Sequence, residues 1–192
     1  MTNGYMTTEA ISTIAPFLDA ATVDFKGGGD PGFYRKMMGV PSVDPIFEGL
    51  KEMRRLGMHI EVTNLVVTKY GDSMDAIRRL ARWIVGDLGP QVPFHILRFH
   101  PDYKLTDVPS TPLHILEQAW QVAKEEGLHY PYLGNVPGHR YENTHCPKCG
   151  VVVIERFGFE ITRWRLRPDN TCPECGYAIA MKGSLRQASP LK

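Results

Sequence analysis

Cys146-Pro-Lys-Cys149-Gly150 and Cys172-Pro-Glu-Cys175-Gly176 are two copies of one short motif, and together they contain all four cysteines of the chain. Two thiolates at this spacing can bind one cation from a tight turn, and the following glycine lets the backbone turn so that its amides point at the sulfurs. Two such turns complete a tetrahedral shell of four sulfurs. The alternative is a pair of disulfides in a secreted domain, but the paired spacing and the lack of a signal peptide favour a metal.

The segment between the two motifs predicts a β-hairpin. Val151-Val-Val-Ile-Glu-Arg and Gly158-Phe-Glu-Ile-Thr-Arg-Trp-Arg-Leu are rich in the β-branched and aromatic residues that suit strands. A hairpin framed by two cysteine turns is the layout of a zinc ribbon or a rubredoxin. Tetrahedral sites with four sulfurs suit both zinc and iron, so the sequence leaves the metal open. We therefore expect Zn or Fe to be bound by Cys146, Cys149, Cys172 and Cys175.

Size and composition describe an ordinary globular chain. Its 192 residues are enough for one medium domain and a small metal-binding appendage, and 43% of them are hydrophobic. No apolar run approaches the roughly 18 to 20 residues that span a bilayer. The first residues have neither a basic region nor an apolar core, so we expect a cytoplasmic protein with no membrane association. Bound thiolates would offset the hairpin's arginines, and with a net charge of +1 nucleic-acid binding is not favoured.

The chain before the hairpin alternates β-branched runs with amphipathic helices. Strands are predicted at residues 21–25, 58–67, 93–99 and 128–133, and the helices between them are predicted to begin at capping residues. Such alternation with short connections predicts a parallel sheet with helices packed outside it. The predicted caps are Thr7 or Thr8, Ser42, Asp72 or Ser73, and Thr111.

Polar residues cluster where the predicted strands end. Ligands of parallel α/β sheets bind at the carboxyl ends of the strands, so these residues predict a site at that edge. The glycines at 27–29 either let a backbone approach a ligand or form a flexible loop. The residues concerned are Lys26 with those glycines, His100 with Asp102 and Lys104, and Asn135 with His139.

Several stretches together resemble the AmmeMemoRadiSam-system radical SAM (S-adenosylmethionine) enzymes, relatives of the pyruvate formate-lyase activating enzymes. The resemblance covers nearly the whole chain. It implies the C-terminal part of a partial (β/α)₆ radical SAM barrel at residues 1–140, followed by the zinc-ribbon or rubredoxin-like β-hairpin at 141–183. The last residues, 184–192, are expected to form a flexible tail. The stretches are Thr2-Asn-Gly-Tyr, Leu18-Asp-Ala-Ala-Thr-Val-Asp-Phe-Lys-Gly, Glu61-Val-Thr-Asn-Leu-Val-Val, Arg98-Phe-His-Pro-Asp-Tyr-Lys-Leu, Gly134-Asn-Val-Pro-Gly-His and the two cysteine motifs.

The resemblance also implies a chemistry. Enzymes of this family hold a [4Fe–4S] cluster and S-adenosylmethionine, which is reductively cleaved to a 5′-deoxyadenosyl radical that abstracts hydrogen from a substrate. By similarity, Asp24, Lys26 and His100 are expected to contact S-adenosylmethionine, and Asn3 is a further candidate. An anion and a cation suit its zwitterionic methionyl group, and a histidine can donate a hydrogen bond. The family name implies Memo-like and Ammecr-like proteins as partners.

One departure from the family pattern limits these expectations. The family binds its cluster through an N-terminal Cys-x₃-Cys-x₂-Cys loop, whereas no cysteine precedes Cys146 here. We therefore expect the C-terminal portion of a radical SAM enzyme, from a truncated gene or a mis-assigned start, that is not competent alone. Two alternatives are a non-catalytic binding module that docks a protein partner and a rubredoxin-like electron carrier.

Overall fold

Two β-sheets follow each other along the chain in the computed structural model, which describes residues 1–182. The first sheet has four strands in sequence order, and the second has three. The tail predicted at 184–192 lies outside the described residues. The strands are β1 (Ala20–Lys26), β2 (His59–Val66), β3 (Phe94–Arg98) and β4 (Pro131–Gly134) in the first sheet, and β5 (Thr144–His145), β6 (Val152–Phe157) and β7 (Glu160–Trp164) in the second.

All three pairings of the first sheet are parallel, and helices connect its strands. Sequential parallel neighbours joined by outer helices are the wall of an open α/β barrel. The second sheet is antiparallel, as the predicted hairpin requires. The predicted α/β class with a terminal ribbon is therefore confirmed. The α-helices are α1 (Thr8–Ile14), α2 (Pro31–Phe33), α3 (Asp44–Arg55), α4 (Met74–Trp83) and α5 (Leu113–Glu125), with π-helical turns at Tyr34–Met38 and Ile84–Leu88 and 3₁₀ turns at Ala15–Phe17, Gly27–Gly29 and Arg140–Glu142.

The two faces of the parallel sheet differ in chemistry because side chains alternate along each strand. The face under the helices is apolar: Val23, Phe25, Val62, Phe94 and Ile96 are completely buried. The opposite face is polar, and we call it the polar face. Its central row runs across all four strands in register and consists of Asp24, Thr63, His95 and Tyr132.

The ribbon has a small apolar core of its own, which the parallel sheet helps to build. Tyr130, just before β4, is buried in the ribbon core, and its hydroxyl accepts a hydrogen bond from the Ala180 amide at 3.1 Å. Trp120 of α5 stacks on Tyr141 at 3.8 Å between ring centroids. These contacts attach the ribbon to the edge of the sheet at β4. The rest of the ribbon core consists of Cys146, Val153, Ile154, Leu166, Cys172 and Ile179.

Two of the predicted helix caps are confirmed: the hydroxyl of Thr7 accepts the Ala10 amide, and that of Ser73 accepts the Ala76 amide. The prediction for Thr111 is wrong. Pro112 precedes α5 instead, and Thr111 is completely buried, with its hydroxyl donating to the Val66 carbonyl at 2.6 Å. Buried backbone groups at the end of a strand need hydrogen-bond partners, and the Thr111 hydroxyl supplies one. This hydroxyl is therefore not free to cap a helix.

The Ser42 prediction is also wrong, because α3 begins at Asp44 after Val43. The hydroxyl of Ser42 accepts the Asp44 amide in a local turn at 3.0 Å instead. Within residues 1–182, no helix combines the length and the apolar character that a membrane span requires.

Candidate functional site

The four cysteine sulfurs converge at one point of the ribbon. Cys146 and Cys175 bring their sulfurs to 3.5 Å, Cys149 and Cys172 to 3.7 Å, and all four sulfurs lie within 4.8 Å of one another. A tetrahedron of metal–sulfur bonds of about 2.3 Å has edges of about 3.8 Å. The spacing therefore fits one tetrahedral ion. In a [4Fe–4S] cluster each thiolate binds a different iron, which holds the sulfurs further apart.

The two cysteine turns have the same backbone geometry. In the first, Cys146 donates its amide to the Val151 carbonyl and Gly150 donates back to Cys146, both at 2.8 Å, and Gly150 has a φ of 77°. In the second, Cys172 donates to Tyr177 and Gly176 donates to Cys172. The positive φ is what a glycine allows, so the predicted role of these glycines is confirmed.

Backbone amides also point at a sulfur, as the motif predicts. Burial of Cys172 acts to raise its pKa, but the amides of Cys175 and Glu174 donate to the sulfur and leave its pKa below the ordinary value. Hydrogen bonds of this kind favour the thiolate, which is the form that binds a metal. Cys146 and Cys172 are buried, whereas Cys149 is exposed, so the site lies at the surface of the ribbon.

Asp24 and Lys26 meet at the carboxyl end of β1. The ammonium of Lys26 pairs with one oxygen of Asp24, and the hydroxyl of Thr63 donates to the other at 2.7 Å. The backbone amide of Lys26 donates to the hydroxyl of Tyr34. Burial, with a smaller contribution from the charge of Asp24, raises the pKa of Tyr34 to about 12, so this phenol remains neutral. Both members of the ion pair keep a partly exposed side chain.

The other two predicted contacts lie at the same edge of the sheet. Thr2 bonds to β1, with the Asp24 amide donating to the Thr2 carbonyl at 3.0 Å, and this places the exposed Asn3 beside the end of that strand. His100 is exposed and follows β3. Within the described chain, neither Asn3 nor His100 makes a hydrogen bond to Asp24 or Lys26.

The glycines at 27–29 pack against the protein interior. All three are buried, and the Gly28 amide donates to the side-chain oxygen of Asn64 at 2.8 Å. A Cβ atom at Gly28 would lie 2.8 Å from the backbone of Ala76 in α4. The loop therefore needs glycine so that its backbone can approach the backbone of α4 closely. Its burial contradicts the alternative that these glycines form a flexible loop.

Asn135 and His139 are engaged in holding the chain around β4. Asn135 donates its side-chain amide to the Arg98 carbonyl at 3.1 Å, which ties the end of β4 to the end of β3. One ring nitrogen of His139 accepts the Tyr141 amide, and the other lies 3.2 Å from Glu117. These contacts position the linker into the ribbon.

The polar face carries a charged cluster that sequence reasoning missed. Glu61 contacts His95 at 3.0 Å and His59 at 3.5 Å, and the ring of His95 stacks on Tyr132. The hydrogen bond from His95, with a smaller one from His59, lowers the pKa of Glu61 despite its partial burial. The sequence feature that could have predicted this cluster is the alternation of His59, Glu61 and Thr63. The interpretation of this segment as a β-branched run overlooks it.

The fold defined by the parallel sheet and its outer helices is of the radical SAM type. A domain of a pyruvate-formate lyase-activating enzyme from Bacteroides vulgatus matches 70% of this chain over 79% of its own, with a TM-score of 0.59 and 13% identity. A radical SAM methyltransferase from Sphaerobacter thermophilus matches 69% of this chain over 38% of its own, with a TM-score of 0.50 and 13% identity. At such identities the likeness shows the fold alone.

In sequence, the chain is similar to an uncharacterized protein of Methanocaldococcus jannaschii. The two are 43% identical over 180 residues, which are 93% of this chain and 53% of that protein. The chain thus spans about half the length of the curated relative that it matches. No family model matches the sequence.

Proposed function

We propose that this chain is the S-adenosylmethionine-binding, C-terminal portion of a radical SAM enzyme of the AmmeMemoRadiSam type. The observation that carries the proposal is the ion pair of Asp24 and Lys26 at the end of β1, in a fold of the radical SAM type. Bound next to a [4Fe–4S] cluster, S-adenosylmethionine supplies a 5′-deoxyadenosyl radical. The chain's own residues are proposed to bind and orient it.

The chemistry of the Asp24–Lys26 pair fits the methionyl group. That group carries an ammonium and a carboxylate, so each can replace one partner of the ion pair, the ammonium on Asp24 and the carboxylate on Lys26. Thr63 fixes one oxygen of Asp24 and leaves the other free to exchange partners. Asn3 and His100, both exposed at the same edge, are proposed to contact the rest of the molecule.

The residues of this sequence do not fit the cluster itself. All four cysteines lie in the ribbon, and their sulfurs are spaced for one ion. Thiolates for a [4Fe–4S] cluster would have to come from outside this sequence. The proposed role of the chain is therefore binding, and its radical chemistry depends on those thiolates.

Equilibrium dialysis of the metal-loaded full chain against S-adenosylmethionine tests the proposal. We expect binding that Lys26→Gln weakens by about tenfold or more, because a charge-assisted contact is lost. Lys51→Gln is the matched control, since Lys51 lies on the surface of α3 and pairs with the surface acids Glu48 and Asp87. Equal binding by both variants, or none by the unaltered chain, would contradict the proposal.

Two further parts of the proposal concern the cell. Metal-bound thiolates suit the reducing cytoplasm, where we place the protein. Memo-like and Ammecr-like proteins are the proposed partners, and size-exclusion chromatography of purified mixtures tests this, because co-elution is expected and separate elution contradicts it.

Electron transfer through the ribbon is the second candidate function. The exposure of Cys149 favours it, since an ion near the surface can exchange electrons with a partner. Iron in four thiolates is red when oxidised and zinc is colourless, so the absorbance of the protein as purified separates the two ions. A colourless protein with one equivalent of zinc contradicts electron transfer.

A further inference from the structure

A cavity of about 660 Å³ lies between the polar face of the parallel sheet and the ribbon. This volume is within the range of small-molecule sites. The sheet contributes Glu61, His95 and Tyr132 to its lining, and the ribbon contributes Arg156 and Phe159. Asp24 and Lys26 do not line it, so it is separate from the proposed S-adenosylmethionine site.

Arg156 is held in place but keeps unused donors. One of its terminal nitrogens donates to the Thr144 hydroxyl at 2.8 Å and to the Glu142 carbonyl at 3.2 Å, and the guanidinium lies 5.5 Å from the centre of the Tyr132 ring. The carboxylate of Glu142 instead accepts the Gly138 amide at 2.6 Å. Among residues 1–182, no carboxylate pairs with Arg156, so its remaining N–H groups are pre-organised for an anion.

Aromatic surfaces form the walls beside this cation. The centre of the Tyr132 ring lies 5.5 Å from the Arg156 guanidinium and 5.2 Å from the centre of the His95 ring, which stacks on it. Phe159, in the turn between β6 and β7, is fully exposed at the cavity although it covers no part of the described chain's core. Flat apolar walls beside an oriented cation suit a ring that carries a negative charge.

We infer that this cavity binds a small aromatic anion, a ring bearing a carboxylate or a phosphate monoester, with its charge on Arg156 and its ring against Tyr132 and Phe159. Glu61 and His95 also line the cavity and offer hydrogen bonds to a polar ring substituent. A carboxylate and a phosphate monoester share the chemistry that a guanidinium recognises, and the experiment distinguishes them.

Calorimetric titration of the metal-loaded full chain with benzoate and with phenyl phosphate tests the inference. We expect at least one of the two to bind, and the tighter one identifies the anionic group. Acetate and inorganic phosphate should bind with at least about tenfold lower affinity, because they lack the ring. Arg156→Gln should weaken binding by about tenfold or more. Arg163→Gln removes the same charge from the neighbouring strand, where Arg163 faces Glu155 outside the cavity, and should have no effect.

A second variant keeps the test decisive if Arg156→Gln disturbs the ribbon through Thr144. Leu97→Trp narrows the cavity from β3, leaves Arg156 intact and should weaken binding. Circular dichroism and metal content check the fold of both variants. Failure of both aromatic anions to bind at millimolar concentration, or unchanged binding by Leu97→Trp, would overturn the inference. Lys26→Gln should leave the binding of the aromatic anions unchanged. The two proposals can therefore fail independently of each other.

Discussion

Replacing Thr111 with valine should destabilise the protein by about 2–6 kcal/mol, because it leaves two buried backbone groups without a hydrogen-bond partner. The hydroxyl of Thr111 donates to the Val66 carbonyl at 2.6 Å and accepts the Phe99 amide at 3.1 Å, and Thr111 is completely buried. Valine keeps the volume and removes both bonds. Each buried group left without a partner costs about 1–3 kcal/mol, which is a large share of a typical stability of about 5–15 kcal/mol.

Thr111→Ser is the matched control, since it keeps the hydroxyl and removes only a methyl group worth about 1 kcal/mol. Urea denaturation of the metal-loaded protein measures both variants. A valine variant as stable as the serine variant would refute the reasoning that this hydroxyl ties β2 to β3.

Three further predictions concern the ribbon, the polar face and the glycine loop. Cys172→Ser should unfold the ribbon first, because small metal domains take their folding energy from the metal. Hydrogen exchange should show that β6 and β7 lose their protection while β2 stays protected. Equal protection in all three strands contradicts this prediction. His95 lowers the pKa of Glu61, so the stabilisation by Glu61 is present above the ordinary pKa of 4.5 and is lost as the pH falls through the lowered pKa. The difference in melting temperature between the wild type and Glu61→Gln should therefore shrink below pH 4.5. A difference that stays constant with pH counts against the pair of Glu61 and His95. Gly28→Ala should cost about 2–4 kcal/mol in urea denaturation, since the φ of Gly28 is 67° and a Cβ atom there would clash with α4. Gly86→Ala, in a helical turn with open space around it, should cost nothing and stabilise by up to about 1 kcal/mol.

Local chemistry explains why the sequence predicts most of the fold. The spacing of Cys146 and Cys149 is set within one turn, and the pattern of α4 is set within a few helical turns, so neither depends on distant residues. The fold class follows from the order of these elements. The cap of α4 at Ser73 was predictable because its partner, the Ala76 amide, lies three residues away.

The features that the sequence did not predict depend on residues far apart in the chain. Thr111 satisfies groups that strands β2 and β3 bring to it, and no local pattern distinguishes this role from a helix cap. Arg156 belongs to the hairpin, but its importance depends on Tyr132, which the sheet places beneath it. The polar face could be predicted in part. The alternation of polar residues in β2 is visible in the sequence, whereas the pairing of Glu61 with His95 depends on the register of β2 and β3.

The row of Asp24, Thr63, His95 and Tyr132 connects the two proposed sites. Its members are register neighbours across four strands, and adjacent strands lie about 4.8 Å apart, so the row is about 14 Å long. Asp24 bonds to Thr63 at one end, and Tyr132 contacts both His95 and Arg156 at the other. The sheet therefore presents the two proposed sites on one surface, within the length of a small molecule of each other. The ribbon completes the second site, because Arg156 reaches Tyr132 only from β6. An ion bound by the four cysteines would then act on both, since folding the ribbon would also fix Arg156 at the cavity.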